Sequence, residues 1–276
     1  MTATPLTSRR QQAKRFLRRL AIGLGEGLLR TGSKPFELRE LSTVVIAPHQ
    51  DDESLACGGI IARKRNEGLP VHVIFITDGS ASHPNHPRLA PADIATLRAE
   101  EAMRAMSYLG VERSAVHFLR EPDGTLGSIA PERRKDLVQR LAALLGSIRP
   151  GEIFLPCHPD GSSEHDATFG FVTDAILASG VRPDIWQYPV WSWWNPVLLL
   201  RRWCQTKGCR RQPVEDYQQA KQHAIDCYQS QLSPLAPETT PALPGDLVRI
   251  FRSDTEYFFR FESPAVPAPG RPVSAA

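Results

Sequence analysis

The sequence predicts a three-layer α/β protein with a mainly parallel central sheet and a tryptophan-rich cap. Three observations predict it. Short β-branched apolar runs alternate with longer helical patterns from about residue 41 onward. These runs are apolar at successive positions, as strands covered on both faces are. Finally, 276 residues, 41% hydrophobic and 23% charged, suffice for one sizeable core carrying an insertion and tails.

The elements follow in order. Thr43–Ala47 reads as the first buried strand, and residues 54–67 as a helix. Val71–Thr77 is a second strand, ended by Asp78-Gly79. Pro91 opens a long helix that Gly110 closes. Residues 115–119 form a third strand, 131–147 a helix and 152–156 a fourth strand. A helix over 166–178 and a strand over 184–190 follow. Strand and helix in strict alternation place helices on both sheet faces, a Rossmann-like arrangement.

The ends break this rhythm. Residues 1–40 read as a basic, amphipathic appendage, with Arg9, Arg10, Lys14, Arg15, Arg18 and Arg19. Trp191, Trp193, Trp194 and Trp203 mark a cap or insertion at about 191–214 within a domain of 41–262. A helix is expected from Val214 to about Gln231, and a late pair of strands over 248–251 and 257–261. The Pro- and Ala-rich tail, 263–276, reads as disordered.

Composition excludes several classes. A net charge of +3 without a basic stripe interleaved with aromatics argues against nucleic acid. No apolar run reaches the roughly 20 residues that span a bilayer, and the N-terminus makes a poor signal peptide. The expectation is a cytoplasmic protein, with peripheral membrane or partner contact open to the N-terminal helix. Five cysteines, an odd number in a long chain, read as reduced thiols; Cys204 and Cys209 alone make a weak metal signal.

Chemistry concentrates at two strand ends. Pro48-His49-Gln50-Asp51-Asp52-Glu53 follows the first strand, where open parallel sheets bind ligands. His49 and Asp52 can turn onto one metal, since zinc takes nitrogen and carboxylate ligands. Asp51, pointing elsewhere, is then free to act as a base. Acidic residues here also suit a helix N-terminus, but that does not explain His49. The segment from Cys157 to Asp166 follows the fourth strand on the same sheet edge and offers His158 or His165 as a further ligand. His83 and His86 lie on a loop that could reach the site; His72 and His117 fall within strands.

These residues resemble the zinc motif of the PIG-L / LmbE-like deacetylases, a His, any residue, then Asp-Asp-Glu after the first strand. Thr77-Asp78-Gly79, Arg98 and Glu101 on the long helix, Pro122-Asp123-Gly124, Lys221 and Ser230-Gln231 agree in order, so the resemblance covers roughly residues 42–235. It implies His49, Asp52 and His165 as ligands of zinc, or another divalent metal such as iron, and Asp51 as general base. It also implies Arg98 and Asp123 as substrate-binding groups. One departure stands out. Relatives carry a His where this chain has Ser162, and Glu164 replaces an Asp; His158 could take over transition-state support if the loop swings.

The reaction so implied is removal of an acyl group, acetyl foremost, from an N-acylated amino sugar or related small amide. Trp193 and Trp194 are expected at the substrate, while Trp186, Tyr188 and Trp191 share one strand face and read as core. The main alternative is a non-catalytic sugar- or partner-binding module that keeps the fold. A nucleotide-dependent transferase is disfavoured, because Gly58-Gly59 lies inside a helix and not in a loop. Oligomeric state is not written in the sequence.

Overall fold

The computed structural model describes residues 6–262, apart from 196, 199–200, 202–203 and 205–207; for 6–15 only the backbone is described. Trp203 and the tail at 263–276 lie outside the described residues. Eight strands form one sheet. They are β1 (Lys34–Pro35), β2 (Thr43–Ala47), β3 (Val71–Thr77), β4 (Val116–Glu121), β5 (Glu152–Pro156), β6 (Asp184–Tyr188), β7 (Cys209–Pro213) and β8 (Thr255–Phe261). The order is β1-β7-β8-β6-β5-β2-β3-β4, and only β8 runs antiparallel to its neighbours.

The helices are α1 (Leu6–Gly32), α2 (Asp52–Asn66), α3 (Pro91–Tyr108), α4 (Pro131–Ile148), α5 (Ser163–Ser179), α6 (Gln218–Asp226), α7 (Gln229–Leu232) and α8 (Gly245–Phe251). Strand alternation assigns the two cores. Val45, Ala47, Val73, Phe75 and Phe154 face the layer of α2 and α3, while Val44, Ile46, Ile74, Ile153 and Leu155 face α4 and α5. The three-layer, mainly parallel architecture is therefore as the sequence predicts.

The order of pairing positions the site. The chain runs β2, β3, β4 toward one edge, then returns to lay β5 on the other side of β2. The loops leaving β2 and β5 diverge to opposite faces and open a crevice at this switch point, where ligands of open α/β sheets bind.

Several elements differ from expectation. Among residues 16–40, α1 buries Ile22 and Leu29, and β1 pairs with β7, Lys34 opposite Arg210, so this stretch is fastened to the body. Within the expected cap, residues 209–213 form a sheet strand held between β1 and β8. The expected helix over 214–231 breaks after Asp226 into α6 and α7. Residues 248–251 belong to α8, not to a strand. Pro244 and Gly245 start that helix, and Leu247, Val248 and Phe251 bury its inner side at helical spacing.

Candidate metal centre

The β2–α2 loop supplies three acids in succession. Asp52 and Glu53 occupy the first turn of α2, at the positive end of the helix dipole. All three carboxylates, from Asp51 to Glu53, are buried. Glu53 is held from both sides: the Asp51 amide donates to Oε2 at 3.0 Å, and Ser54 and Tyr228 hydroxyls donate to Oε1 at 2.6 and 2.5 Å. Burial pushes the Glu53 carboxyl up to about 7. It faces the hydroxyl of Tyr228, away from the crevice.

Asp52 turns toward two imidazoles. Its Oδ2 lies 3.2 Å from His49 Nδ1 and 3.3 Å from His165 Nε2. One donor atom each from His49, Asp52 and His165 thus fall within 4.8 Å of one another. Burial alone would raise Asp52, but His165 and His49 outweigh it and hold the carboxyl far below its ordinary range. Both imidazoles are pulled upward against burial, His165 to about 9 through Asp52 and Asp160, His49 through Asp123, Asp52 and Glu164. A nest of carboxylates around two rings attracts positive charge.

The donor set fits a divalent ion. Two ring nitrogens and one carboxylate oxygen are the ligands zinc takes in sites that keep a position open for reactant. The sharper observation is His165: it is fully buried, yet its Nε2 has no hydrogen-bond partner. Orphaned buried polar atoms are rare and costly, and a metal would satisfy this one. The opposite nitrogen, Nδ1, is bound to Asp160 Oδ2 at 2.9 Å. A carboxylate behind the ring is how metal-binding histidines are commonly oriented.

Asp160 has a second task. Its two oxygens also accept the amides of Val190, Trp191 and Ser192 at 3.0–3.2 Å. One fully buried carboxylate therefore ties the His165 ring to the tryptophan turn. The sequence did not single it out; the cue available was an acid five residues before the histidine.

Glu164 does for His49 what Asp160 does for His165. Its Oε2 sits 2.8 Å from His49 Nε2, and its Oε1 accepts the amides of Gly124 and Leu126 at 2.9 and 3.3 Å. Asp123 Oδ1 lies 3.3 Å from the same His49 nitrogen. Burial works against ionised Asp123, yet His49 and its other partners bring its carboxyl down to about 2.

Asp51 points away from the imidazoles to Arg98, 3.3 Å from Nη2. Burial raises its carboxyl to about 6, with Arg98 restraining the rise. Arg98 itself is buried, donates to the Gln50 carbonyl, and leaves Nε and Nη1 without partners. Gly79 approaches it closely: a Cβ there would stand 2.5 Å from Gln50 Oε1 and 3.1 Å from Arg98 Nε.

These groups line a small cleft of about 180 Å³. His49, Asp51, Asp52, Arg98 and Asp123 line it together with Trp191, Gln231 and Leu243. Hence six of the seven residues singled out from the sequence come together. His158 does not join them. Its ring stacks on Phe169 at 5.0 Å, its Nδ1 lies 3.5 Å from Asp166, and half its surface is exposed. The tryptophan expectation also shifts. Trp193 is buried against Tyr257, and Trp194 carries the Arg18 guanidinium, whereas Trp191 lines the cleft. His83 and His86 act as latches between loops: His83 meets Glu238 at 2.6 Å and the Ser230 carbonyl at 3.0 Å, and His86 meets the Ala236 carbonyl.

Residues 44–176 match the model of the PIG-L family, described as GlcNAc-PI de-N-acetylase. The chain is 31% identical over 111 residues to a diacetylchitobiose deacetylase of Thermococcus kodakarensis, a segment covering 40% of this chain and 39% of that protein. Less than two thirds of such relatives' length is therefore matched. Among solved structures, N,N'-diacetylchitobiose deacetylase from Pyrococcus horikoshii superposes with a TM-score of 0.57 at 20% identity, covering 85% of this chain and 91% of that one. A 4-carboxy-2-hydroxymuconate hydratase from Pseudomonas putida has a TM-score of 0.57 at 22% identity, over 69% and 80% of the two chains. At these identities the structural likeness speaks for the fold alone.

Proposed function

The chain belongs to the PIG-L family, and from that premise we propose that it is a metal-dependent amide hydrolase acting on an N-acylated amino sugar, with acetyl as the acyl group removed. The observation that carries this reading is the convergence of His49, Asp52 and His165 around a buried, unpartnered imidazole nitrogen, with the Asp51 carboxylate beside them.

His49, Asp52 and His165 would hold the ion, zinc or ferrous iron. When bound, it supplies Lewis acidity toward the amide carbonyl and acidifies a water. The chain's own residues do the rest. Asp51 takes a proton from the attacking water and later returns it to the leaving nitrogen, so amide and water become acid and amine. A carboxyl raised to about 6 suits both steps near neutral pH. Glu164 and Asp160 accept the outward N–H of His49 and His165, which fixes each ring's tautomer and turns the other nitrogen inward. Arg98 has two spare N–H groups and Asp123 a carboxylate at the cleft wall, a donor and an acceptor for sugar hydroxyls. Trp191 offers a flat apolar face for a pyranose ring.

Metal content and the Asp51→Asn variant test this reading together. The variant is expected to retain its metal while turnover on N-acetylglucosamine derivatives falls by about 10²–10⁴. Undiminished turnover would remove Asp51 from the mechanism. A second reading, a sugar-binding module without turnover, is favoured by one observation: His158 is turned away from the cleft, and Ser162 stands where the family resemblance implies a histidine. It predicts a metal-loaded protein that binds such sugars yet leaves every amide intact.

A further inference from the structure

We propose that the outward face of α1 docks onto an anionic lipid bilayer. Among the described residues eight large apolar side chains are exposed, and five of them are on this helix: Phe16, Leu17, Leu20, Leu24 and Leu28. Phe16, Leu20, Leu24 and Leu28 recur every four residues. Each step turns about 40° beyond a full helical turn, so the four sweep one face about 120° wide. The opposite face is the one that binds the protein body, through Ile22 and Leu29, 8% and 2% exposed. The helix is thus fastened on one side and leaves an apolar stripe on the other.

Such a stripe on a solvent-facing helix calls for an occupant, and charge selects which. Over its 27 residues α1 carries Arg9, Arg10, Lys14, Arg15, Arg18, Arg19 and Arg30 against a single acid, Glu26. The whole chain totals only +3, so positive charge is concentrated on this helix and the remainder is net negative. A second copy of the helix would set like charge against like. An anionic headgroup layer takes both features at once: apolar side chains enter the acyl boundary while the basic residues of the first turns, Arg9, Arg10, Lys14 and Arg15, supply charge for phosphates, Arg18, Arg19 and Arg30 being engaged by Trp194, Asp246 and Asp254. No helix of the described residues is long and apolar enough to cross a membrane, so α1 lies in the plane of the surface. It would do so beside the cleft, since Arg18 sits 4.1 Å over Trp194, in the same turn that presents Trp191.

The full chain should co-sediment with phosphatidylcholine vesicles containing phosphatidylglycerol and bind pure phosphatidylcholine vesicles at least about tenfold more weakly, with affinity falling as salt rises. The double variant Leu20→Glu/Leu24→Glu should lose the anionic-vesicle binding while keeping its melting temperature, because both side chains are exposed. The proposal is overturned if neither vesicle binds, if both bind equally, or if the double variant binds like the parent. It is equally overturned if the variant instead abolishes a concentration-dependent dimer, which would give this face to a second copy. None of these readouts depends on hydrolysis.

Discussion

Charge is buried at several places along α2, and two of them, its N-terminal end and its middle, are built on opposite plans. In the middle of the helix, Gly59 and Ile60 amides donate to the two oxygens of Glu256 at 2.7 and 2.9 Å, and Lys221 donates to the same carboxylate at 2.8 Å. Every oxygen has a partner and the charges cancel. The paired glycines make this approach feasible: a Cβ at Gly58 would meet Lys221 Cγ at 2.9 Å, and one at Gly59 would meet Val214 Cγ1 at 2.0 Å. At the N-terminal end the account stays open. Carboxylates of Asp52, Asp123 and Glu164 gather about two imidazoles, Asp51 turns to Arg98, and His165 Nε2 makes no hydrogen bond of good geometry, with only the Asp52 carboxylate near it at 3.3 Å. A closed set of buried charges holds helix to sheet; an open one has the donors to take a cation.

The largest effect should come from the open set. In His165→Ala the metal is expected to be lost and turnover to fall by about 10³ or more, to the background of unassisted hydrolysis. Metal analysis and a deacetylation assay read both. Retained metal with retained turnover would place the chemistry elsewhere in the cleft.

The closed set should fail differently. Lys221→Met leaves Glu256 buried without its cation, which costs about 3–5 kcal/mol of stability, a change urea unfolding will detect. Turnover per folded molecule should be unchanged. The double variant Lys221→Met/Glu256→Gln should recover part of the loss, because the uncompensated charge is gone. If Lys221→Met instead kept full stability and lost turnover, the division drawn along α2 would be mistaken.

The sequence reveals the open set better than the closed one, for a physical reason. His49 and His165 each follow a strand that is mostly apolar and buried throughout, and strand ends of a parallel sheet share one edge, so convergence can be read from local pattern. The partners that complete the site depend on distances no local pattern encodes. Glu164 reaches His49 across the switch point, and Asp160 gathers a ring and a turn some 30 residues onward. Strand β7, Cys-Arg-Arg-Gln-Pro, has no apolar rhythm; pairing with β8 makes it a strand. Trp191 and Trp193 exchange expected roles because the chain leaves β6 for a tight turn, where alternation of faces no longer applies.

Smaller effects probe the support around the open set. Asp160→Asn keeps a carbonyl oxygen for the His165 ring but removes the charge behind it, and metal affinity is expected to fall about 10–100-fold. Competition with a chromophoric chelator measures this. An unchanged affinity would mean that packing alone orients His165, as its complete burial would permit.

The mildest test leaves the chain intact and changes pH. The role given to Asp51 requires its carboxylate form, and burial raises that group to about 6. The kcat/KM of the metal-loaded protein should therefore be flat above the apparent pKa and fall up to about tenfold for each further unit of acidification below it. A dication beside Asp51 favours the ionised form, so the midpoint should lie at or below 6. In Lys221→Met the midpoint should stay put, since the closed set does not face the cleft. Activity that rises on acidification through this range would mean the working form of the group is the acid, and the open set would then need a different base.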